Sequence, residues 1–395
     1  MTNRSTNYLC ALVVLVSLLL TGAAHAASST CAINQAAARQ TIRGFGGSSA
    51  WHGYLTDPEC DVLFGTLGLS ILRVQIDANG NWTPEITNAQ KAQARGAIVF
   101  ASPWSPPAYM KDNQSTIGGS LLPQQYGNYV AWLNSFASNI PGLYALSVQN
   151  EPNISVTYDS CSWTEQQLFD FIVNYGAGFN TRLMMPETFN YLRVYSDSIL
   201  ANPTGAANTD ICAYHWYGAN HNGLWTEAYN LGKDIWMTEH YSDDQTITGA
   251  LDTAVEIHNQ LTINFANAYV WWYLRQPNCN LIEPGGSVIH IRGYVMGQYA
   301  KFVRNGAVRV DATGGATGTY HSAFVNAGKL VIVSINTSSQ TRNQTFAISN
   351  GNAASMSSYA TSNTKGLLQG PTYSVTGGSF TGTLDPKSVT TFVQN

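Results

Sequence analysis

Charge is scarce in this chain of 395 residues: Asp, Glu, Lys and Arg make up only 11%, and the formal balance is −4. Nucleic acid is held by a face of cations, and none can be assembled from 19 Lys and Arg spread among 23 Asp and Glu, so that class of partner is excluded. Long apolar runs are equally few. The first, Leu9 to Leu20, is interrupted by Cys10 and Ser17 and falls short of the ~20 residues that span a bilayer. It follows Arg4 and precedes Ala24-His25-Ala26, the layout of an export signal, so residues 1–26 are read as a cleaved leader and the mature protein as secreted, with no membrane partner. Cysteines are few, six in all: Cys10 leaves with the leader, and Cys31, Cys60, Cys161, Cys212 and Cys279 remain, an odd number, so at least one thiol has no intramolecular partner. None of their spacings is that of a zinc or haem motif, so no metal or other cofactor is expected. A linker rich in Pro or Ser is also missing, which points to parts that dock rigidly.

What the chain does have is neutral polarity and rings. Asn, Gln, Ser and Thr supply the polar surface, and 10 Trp with 21 Tyr offer flat faces with polar edges, a combination suited to uncharged sugars. From Thr41 to Tyr273 short apolar runs alternate with amphipathic stretches, the pattern of repeated βα units. Eight strands are read: 42–48, 71–77, 97–104, 143–150, 182–187, 211–217, 234–240 and 268–274. Helices are read at 126–140, 163–179, 251–263 and 294–303, where apolar residues recur at spacings of three and four. Eight strands each followed by a helix predict an α/β fold of the (β/α)8 type, a TIM barrel over residues 41–304. Beyond Arg304 helical periodicity ends, and short β-rich runs between Gly, Asn, Ser and Thr clusters predict a rigidly attached antiparallel sandwich over 305–395. Residues 27–40 precede the first barrel strand without a helix and are read as joining that side domain.

In such a barrel the strand ends face the catalytic mouth. The fourth strand leads into Asn150-Glu151-Pro152 and the seventh into Thr238-Glu239-His240, which sets two carboxylates across the mouth from one another. Cleaving a glycoside needs that pair, one group to protonate the leaving oxygen and the other to attack or to activate water. Asn150 is placed to hydrogen-bond the sugar 2-hydroxyl. Trp51, Trp104, Tyr217 and Trp272 stand at other strand ends, and Pro103, Pro106 and Pro107 stiffen the loop around Trp104.

The strings GFGGSSAW (44–51), LRVQID (72–77), SPWSPPAYMK (102–111), SVQNEP (147–152), HWYG (215–218), WMTEHY (236–241), YVWWYL (269–274) and RGYVMGQYAKFVR (292–304) resemble glycoside hydrolase family 30, and within it the bacterial xylanases of subfamily 8. The resemblance extends over nearly the whole mature chain. It implies a retaining endo-β-1,4-xylanase acting on xylan and xylooligosaccharides without a metal, with Glu151 as acid/base and Glu239 as nucleophile. It also implies sugar contacts from Trp51, Trp104, Asn150, Tyr158, Tyr217, Tyr241 and Trp272. The enzyme is expected to act as a monomer. Other readings are a glucosylceramidase or β-1,6-glucanase of the same family, and a carbohydrate-binding protein that has lost turnover.

One departure bears on specificity. Most of the resembled subfamily grip a methylglucuronic acid branch with a Tyr and a Ser after the nucleophile and an Arg after the eighth strand. Tyr241 matches the first, but the Ser position falls on Asp244 and the Arg position on Gln276. Arg275 is adjacent, yet neighbouring strand residues point oppositely, so independence of glucuronate branches is expected, with a glucuronate-dependent enzyme as the alternative.

Overall fold

The computed structural model describes residues 29–219, 221–275 and 277–395, so the leader read in residues 1–26 lies outside the described residues. The described chain begins with β1 (Thr30–Thr41) and after two residues enters the barrel. The barrel strands are β2 (Gly44–Ser48), β3 (Ile71–Ile76), β4 (Ile98–Pro103), β5 (Ala145–Ser147), β6 (Arg182–Met184), β7 (Ile211–His215), β8 (Asp234–Glu239) and β9 (Ala268–Tyr273). They close in that order with every pair parallel, the eight-stranded barrel that the pattern predicts. Alternation along each strand divides the core in two. Ile71, Phe100, Met184, Ile211 and Trp236 fill the barrel's interior, whereas Leu72, Val74 and Ile76 belong to the layer shared with the helices. The first strand is built from glycine because it lies against its neighbour: a Cβ on Gly46 would sit 2.1 Å from the Ile71 carbonyl oxygen.

β5 and β6 are shorter than the sequence pattern suggests, ending at Ser147 and Met184. Beyond those points the backbone leaves the regular ladder to build the mouth, keeping single contacts such as the Glu151 amide donating to the Glu187 carbonyl at 2.9 Å.

The side domain comprises β10 (Val308–Gly314), β11 (Thr319–Asn326), β12 (Lys329–Asn336), β13 (Arg342–Ser349), β14 (Ser355–Ser362), β15 (Lys365–Ser374), β16 (Ser379–Leu384) and β17 (Ser388–Gln394), together with β1. These nine strands form one continuous sheet in the order β15-β14-β17-β12-β11-β10-β1-β13-β16. It is antiparallel except where β1 runs parallel to β13. The sheet doubles over a common core. Phe346 of β13 and Phe380 of β16 meet Phe392 of β17, from the other half of the sheet, with ring centroids 5.3 and 5.4 Å apart.

β12 is buried on both faces, because Leu330 and Ile332 serve the side-domain core while Val331, Val333 and Ile335 join the barrel's helix layer. The helix Ile291–Ala300 lies at this seam. Gln298 donates from Nε2 to Thr361 Oγ1 at 2.8 Å and accepts from Thr391 Oγ1 at its carbonyl, also at 2.8 Å. The two parts therefore share one apolar layer. All five described cysteines are buried and free. Among the described residues no helix is long and apolar enough to cross a membrane.

Candidate active site

Glu151 and Glu239 face each other across a cavity of about 470 Å³ at the C-terminal mouth of the barrel, lined also by Trp51, Trp104, Tyr158, Phe189, Tyr217, Tyr241, Trp272 and Tyr273. Each glutamate is only 5% exposed. Their nearest carboxyl oxygens and a ring nitrogen of His215 all lie within 4.8 Å of one another. Glu239 reaches this position through a slip in the ladder. His215 pairs with Glu239 although Tyr214 pairs with Met237, so Thr238 is skipped and Glu239 is re-aimed into the mouth. Glu151 is held in left-handed backbone, φ +48°, and so is Trp51, φ +58°. A non-glycine residue persists in that region only where its surroundings enforce it.

A buried charge frame lies beneath the pair. Arg73, inside the barrel and fully buried, donates from Nη1 to Glu239 Oε2 and from Nη2 to Asn150 Oδ1 at 2.6 Å and Glu187 Oε2 at 3.1 Å. Its guanidinium also lies 4.6 Å from the centre of the Trp104 ring. Because Asn150 spends its oxygen on Arg73, its amide hydrogens remain free to donate. His215 Nδ1 lies 2.9 Å from Glu151 Oε1 and donates to it, while its Nε2 stands 3.8 Å from both Glu187 and Glu239. The Tyr158 hydroxyl donates to Glu151 Oε2 at 3.2 Å and the Tyr217 hydroxyl to Glu239 Oε1 at 3.0 Å.

The titration of this frame follows from burial set against charge. Burial alone would raise Glu187, but Arg73 and His215 hold it at about 2. For His215 burial acts downward, and Glu239, Glu151 and Glu187 override it, lifting the imidazole to about 9. Glu239 is raised, first by burial and also by Glu151, against the pull of His215 and Arg73. Two cations, Arg73 and His215, thus face the carboxyls of Glu187, Glu239 and Glu151.

Glu151, His215 and Glu239 are also, among the described residues, the one group of three that could hold a metal ion. His215 Nδ1 is engaged by Glu151, and Arg73 occupies one oxygen of Glu239, so the donors are already paired with each other and with a cation.

Of the residues singled out from the sequence, Glu151, Glu239, Trp51, Trp104, Tyr158, Tyr217, Tyr241 and Trp272 all line the cavity, and Asn150 lies just behind it. Asp244 does not line it. Its carboxylate accepts from the Thr246 amide at 2.9 Å, at the start of helix Ile247–Thr262, so the residue at the Ser position serves as a helix-end contact. Arg275 turns the other way, donating to Glu59 Oε1 at 2.7 Å and to the His52 carbonyl at 2.5 Å. Gln276 lies outside the described residues. Sequence reasoning missed Phe189 and Tyr273 in the lining and gave no role to Arg73, Glu187 or His215.

A closed parallel barrel that presents two carboxyls across its mouth, between aromatic walls and over a buried charge frame, is that of a glycoside hydrolase. The family model described as the glycosyl hydrolase family 30 TIM-barrel domain matches residues 73–299. The glucuronoxylanase XynC of Bacillus subtilis (strain 168) is 39% identical, over 93% of this chain and 92% of its own. The glycoside hydrolase family 30 subfamily 8 xylanase Xyn30A of Clostridium acetobutylicum is 40% identical and superposes with a TM-score of 0.89, over 93% of this chain and 99% of that one. A GH30 endoxylanase of Clostridium papyrosolvens C71 is also 40% identical, at a TM-score of 0.87, over 93% and 100%. The chain belongs to glycosyl hydrolase family 30.

Proposed function

We propose that the chain is an endo-β-1,4-xylanase that cleaves xylan with retention of anomeric configuration. The observation that carries the mechanism is the separation of the two carboxyls, with oxygens within 4.8 Å. Retaining pairs stand ~5 Å apart, whereas inverting pairs need roughly 6.5–9.5 Å to admit a water between them. Glu239 attacks the anomeric carbon while the glycosidic C–O bond breaks, and the Glu151 proton passes to the leaving oxygen. A water then attacks the glycosyl ester, gives its proton to Glu151 and frees Glu239. Arg73 and Tyr217 orient the attacking carboxylate, and the free amide hydrogens of Asn150 are placed for the sugar 2-hydroxyl. Xylan as substrate is supported by a lining that is aromatic apart from the two glutamates, and by the names of the 39–40% identical relatives.

We further infer that cleavage does not depend on glucuronate branches. Among the described residues that line the cavity there is no Arg or Lys, and Arg275 is committed to Glu59 and to backbone carbonyls. The relative named a glucuronoxylanase favours the other reading, so the deciding assay is specific activity on glucuronoxylan, arabinoxylan and linear xylooligosaccharides. Comparable rates are expected. A preference of more than ~100-fold for glucuronoxylan, near the ~2.7 kcal/mol of a charged hydrogen-bonded pair, defeats the inference. Retention is tested by NMR of the first-formed product, which should be the β-anomer. Glu239→Gln should abolish turnover with the fold intact, and a loss below about tenfold, ~1.4 kcal/mol of barrier, contradicts the nucleophile assignment. The export signal read in residues 1–26 supports a secreted enzyme, and we propose that it acts as a monomer.

A further inference from the structure

A second cavity of about 460 Å³ opens at the seam between barrel and side domain. It is lined by the end of helix Ile247–Thr262, by Phe265 and by residues of β1, β10 and β11. That helix starts at the catalytic mouth, just after Glu239, and runs to the opposite end of the barrel, so this cavity and the cleft lie at opposite ends. Its size falls in the range of about 300–1,000 Å³ that holds small ligands.

The cavity contains a cation with no counter-ion in contact among the described residues. Arg309 is only 5% exposed. It donates from Nε to Gln40 Oε1 at 2.9 Å, and its guanidinium lies 4.8 Å from the centre of the Phe265 ring. Gln40 is itself fixed, donating from Nε2 to the carbonyls of Leu261 at 2.6 Å and Ala266 at 3.1 Å. Neither Nη group of Arg309 has an acceptor among the described residues. The nearby carboxylate, Asp311, is taken by Arg39, which donates to it from Nε and Nη2 at 2.8 and 2.6 Å. Two arginines against one aspartate leave an excess of positive charge in a chain whose formal balance is −4. His258 adds a buried Nδ1 that also has no partner. A burial cost carried by an unpaired arginine and an unpaired imidazole nitrogen is recovered when an oxyanion accepts from both. Around them Thr313 and Tyr320 supply hydroxyls, and Thr262 and Thr319, whose hydroxyls donate to the carbonyls of His258 and Ala316 at 2.7 Å, offer oxygens that accept.

We propose that this cavity is a second carbohydrate site, remote from the catalytic cleft, that takes a uronic acid by its carboxylate on Arg309 and its ring hydroxyls on the surrounding threonines. The choice of sugar rests on the xylan reading, because xylan carries uronate branches; turnover of linear xylooligosaccharides tests that reading separately. An enzyme that needs no uronate in its cleft would then use the branches for attachment to the polymer.

The test is calorimetric titration of the whole protein with glucuronic acid, xylose, acetate and inorganic phosphate, with and without xylotriose filling the cleft. Glucuronic acid should bind saturably, at least tenfold more tightly than the other three, and unchanged by xylotriose. Arg309→Met should weaken it at least tenfold while leaving turnover of linear xylooligosaccharides unchanged. Should that variant not fold, Thr313→Trp, at an exposed position on the rim, should block binding equally. The proposal is overturned if glucuronic acid does not bind, if xylotriose displaces it, if acetate or phosphate binds as tightly, or if binding survives in the folded variants.

Discussion

Glu187 holds no substrate, yet its replacement should report on the whole charge frame. It is fully buried, with Arg73 at 3.1 Å and His215 Nε2 at 3.8 Å. Its pKa is about 2 against an ordinary 4.5. A gap of that size corresponds to about 3 kcal/mol of stability by linkage, and losing one partner of a buried pair costs a similar ~3–5 kcal/mol. A depressed carboxyl contributes its stability above the unfolded pKa and loses it as pH falls through the folded one. That contribution is therefore whole above pH ~4.5 and gone below ~2. Glu187→Gln should lower Tm at pH 6 by on the order of 5 °C. The difference between the two proteins should then shrink steadily from pH 4.5 downward. Other carboxylates titrate in the same range, but they are common to both proteins and cancel in the difference. His215 gives the opposite flank. Its pKa is raised to about 9, so its share is whole below its ordinary 6.5 and is lost as pH rises through 9. The two shares arise from overlapping interactions and do not add. Thermal unfolding followed by circular dichroism from pH 2.5 to 7 is the assay. A Tm difference that stays constant across that range, or no difference at pH 6, refutes the reasoning.

Glu151→Ala should form the glycosyl-enzyme almost normally from substrates with activated leaving groups, and azide should rescue its second step; equal damage on good and poor leaving groups counts against the acid/base role. Ending the chain after Arg304 should give insoluble or unstable protein, because Phe324, Val331, Val333, Ile335 and Val389 complete the barrel's own apolar layer; a soluble, active barrel contradicts this. Asn88→Ala removes the side chain that accepts from the Leu55 amide at 2.7 Å and donates to the Gly53 carbonyl at 2.8 Å, loosening the loop that carries Trp51. At ~1 kcal/mol for each of the two bonds, KM on xylooligosaccharides should rise by up to about 30-fold with kcat within twofold, and a fall in kcat alone disproves the positioning role.

The fold was legible because its periodicities are strong. Most of the barrel strands were readable from apolar runs, since a parallel sheet is covered on both sides and its strands read as hydrophobic segments, while the glycine-rich β2, Gly-Phe-Gly-Gly-Ser, was placed by the βα repeat that follows it. The junction was harder. β12 is buried on both faces because it separates two cores, and no local pattern tells such a strand from one in an ordinary sandwich. That the side domain is one folded-over sheet with a parallel β1 and β13 pair depends on contacts between residues more than 300 positions apart, such as Cys31 with Phe346.

The site was legible by residue type and much less so by direction. Strict alternation along Asp234–Glu239 puts Glu239 on the face opposite Trp236, and Trp236 points into the barrel's interior. Only the slip at Thr238 brings Glu239 inward, and a similar slip lies between Trp271 and Tyr273, where Trp271 is buried in the helix layer and Trp272 lines the cavity. Identifying Glu239 therefore rested on its chemistry and its place at a strand end, not on the two-residue period, whereas Trp272 follows that period from Ala268 and Val270 and the second slip turns Tyr273 inward beside it. Arg73 shows the converse. In Ile71-Leu72-Arg73-Val74-Gln75-Ile76 an arginine and a glutamine interrupt a strand that is otherwise wholly apolar, which is a legible anomaly. A charge inside a covered parallel strand must find partners there, because an unpaired one would cost several kcal/mol. Its presence in β3 thus requires carboxylates from other strands to converge at the same depth, and Glu187 and Glu239 are those carboxylates. A lone arginine in the second barrel strand is in this sense a sequence signal for buried acids at the ends of the fifth and seventh.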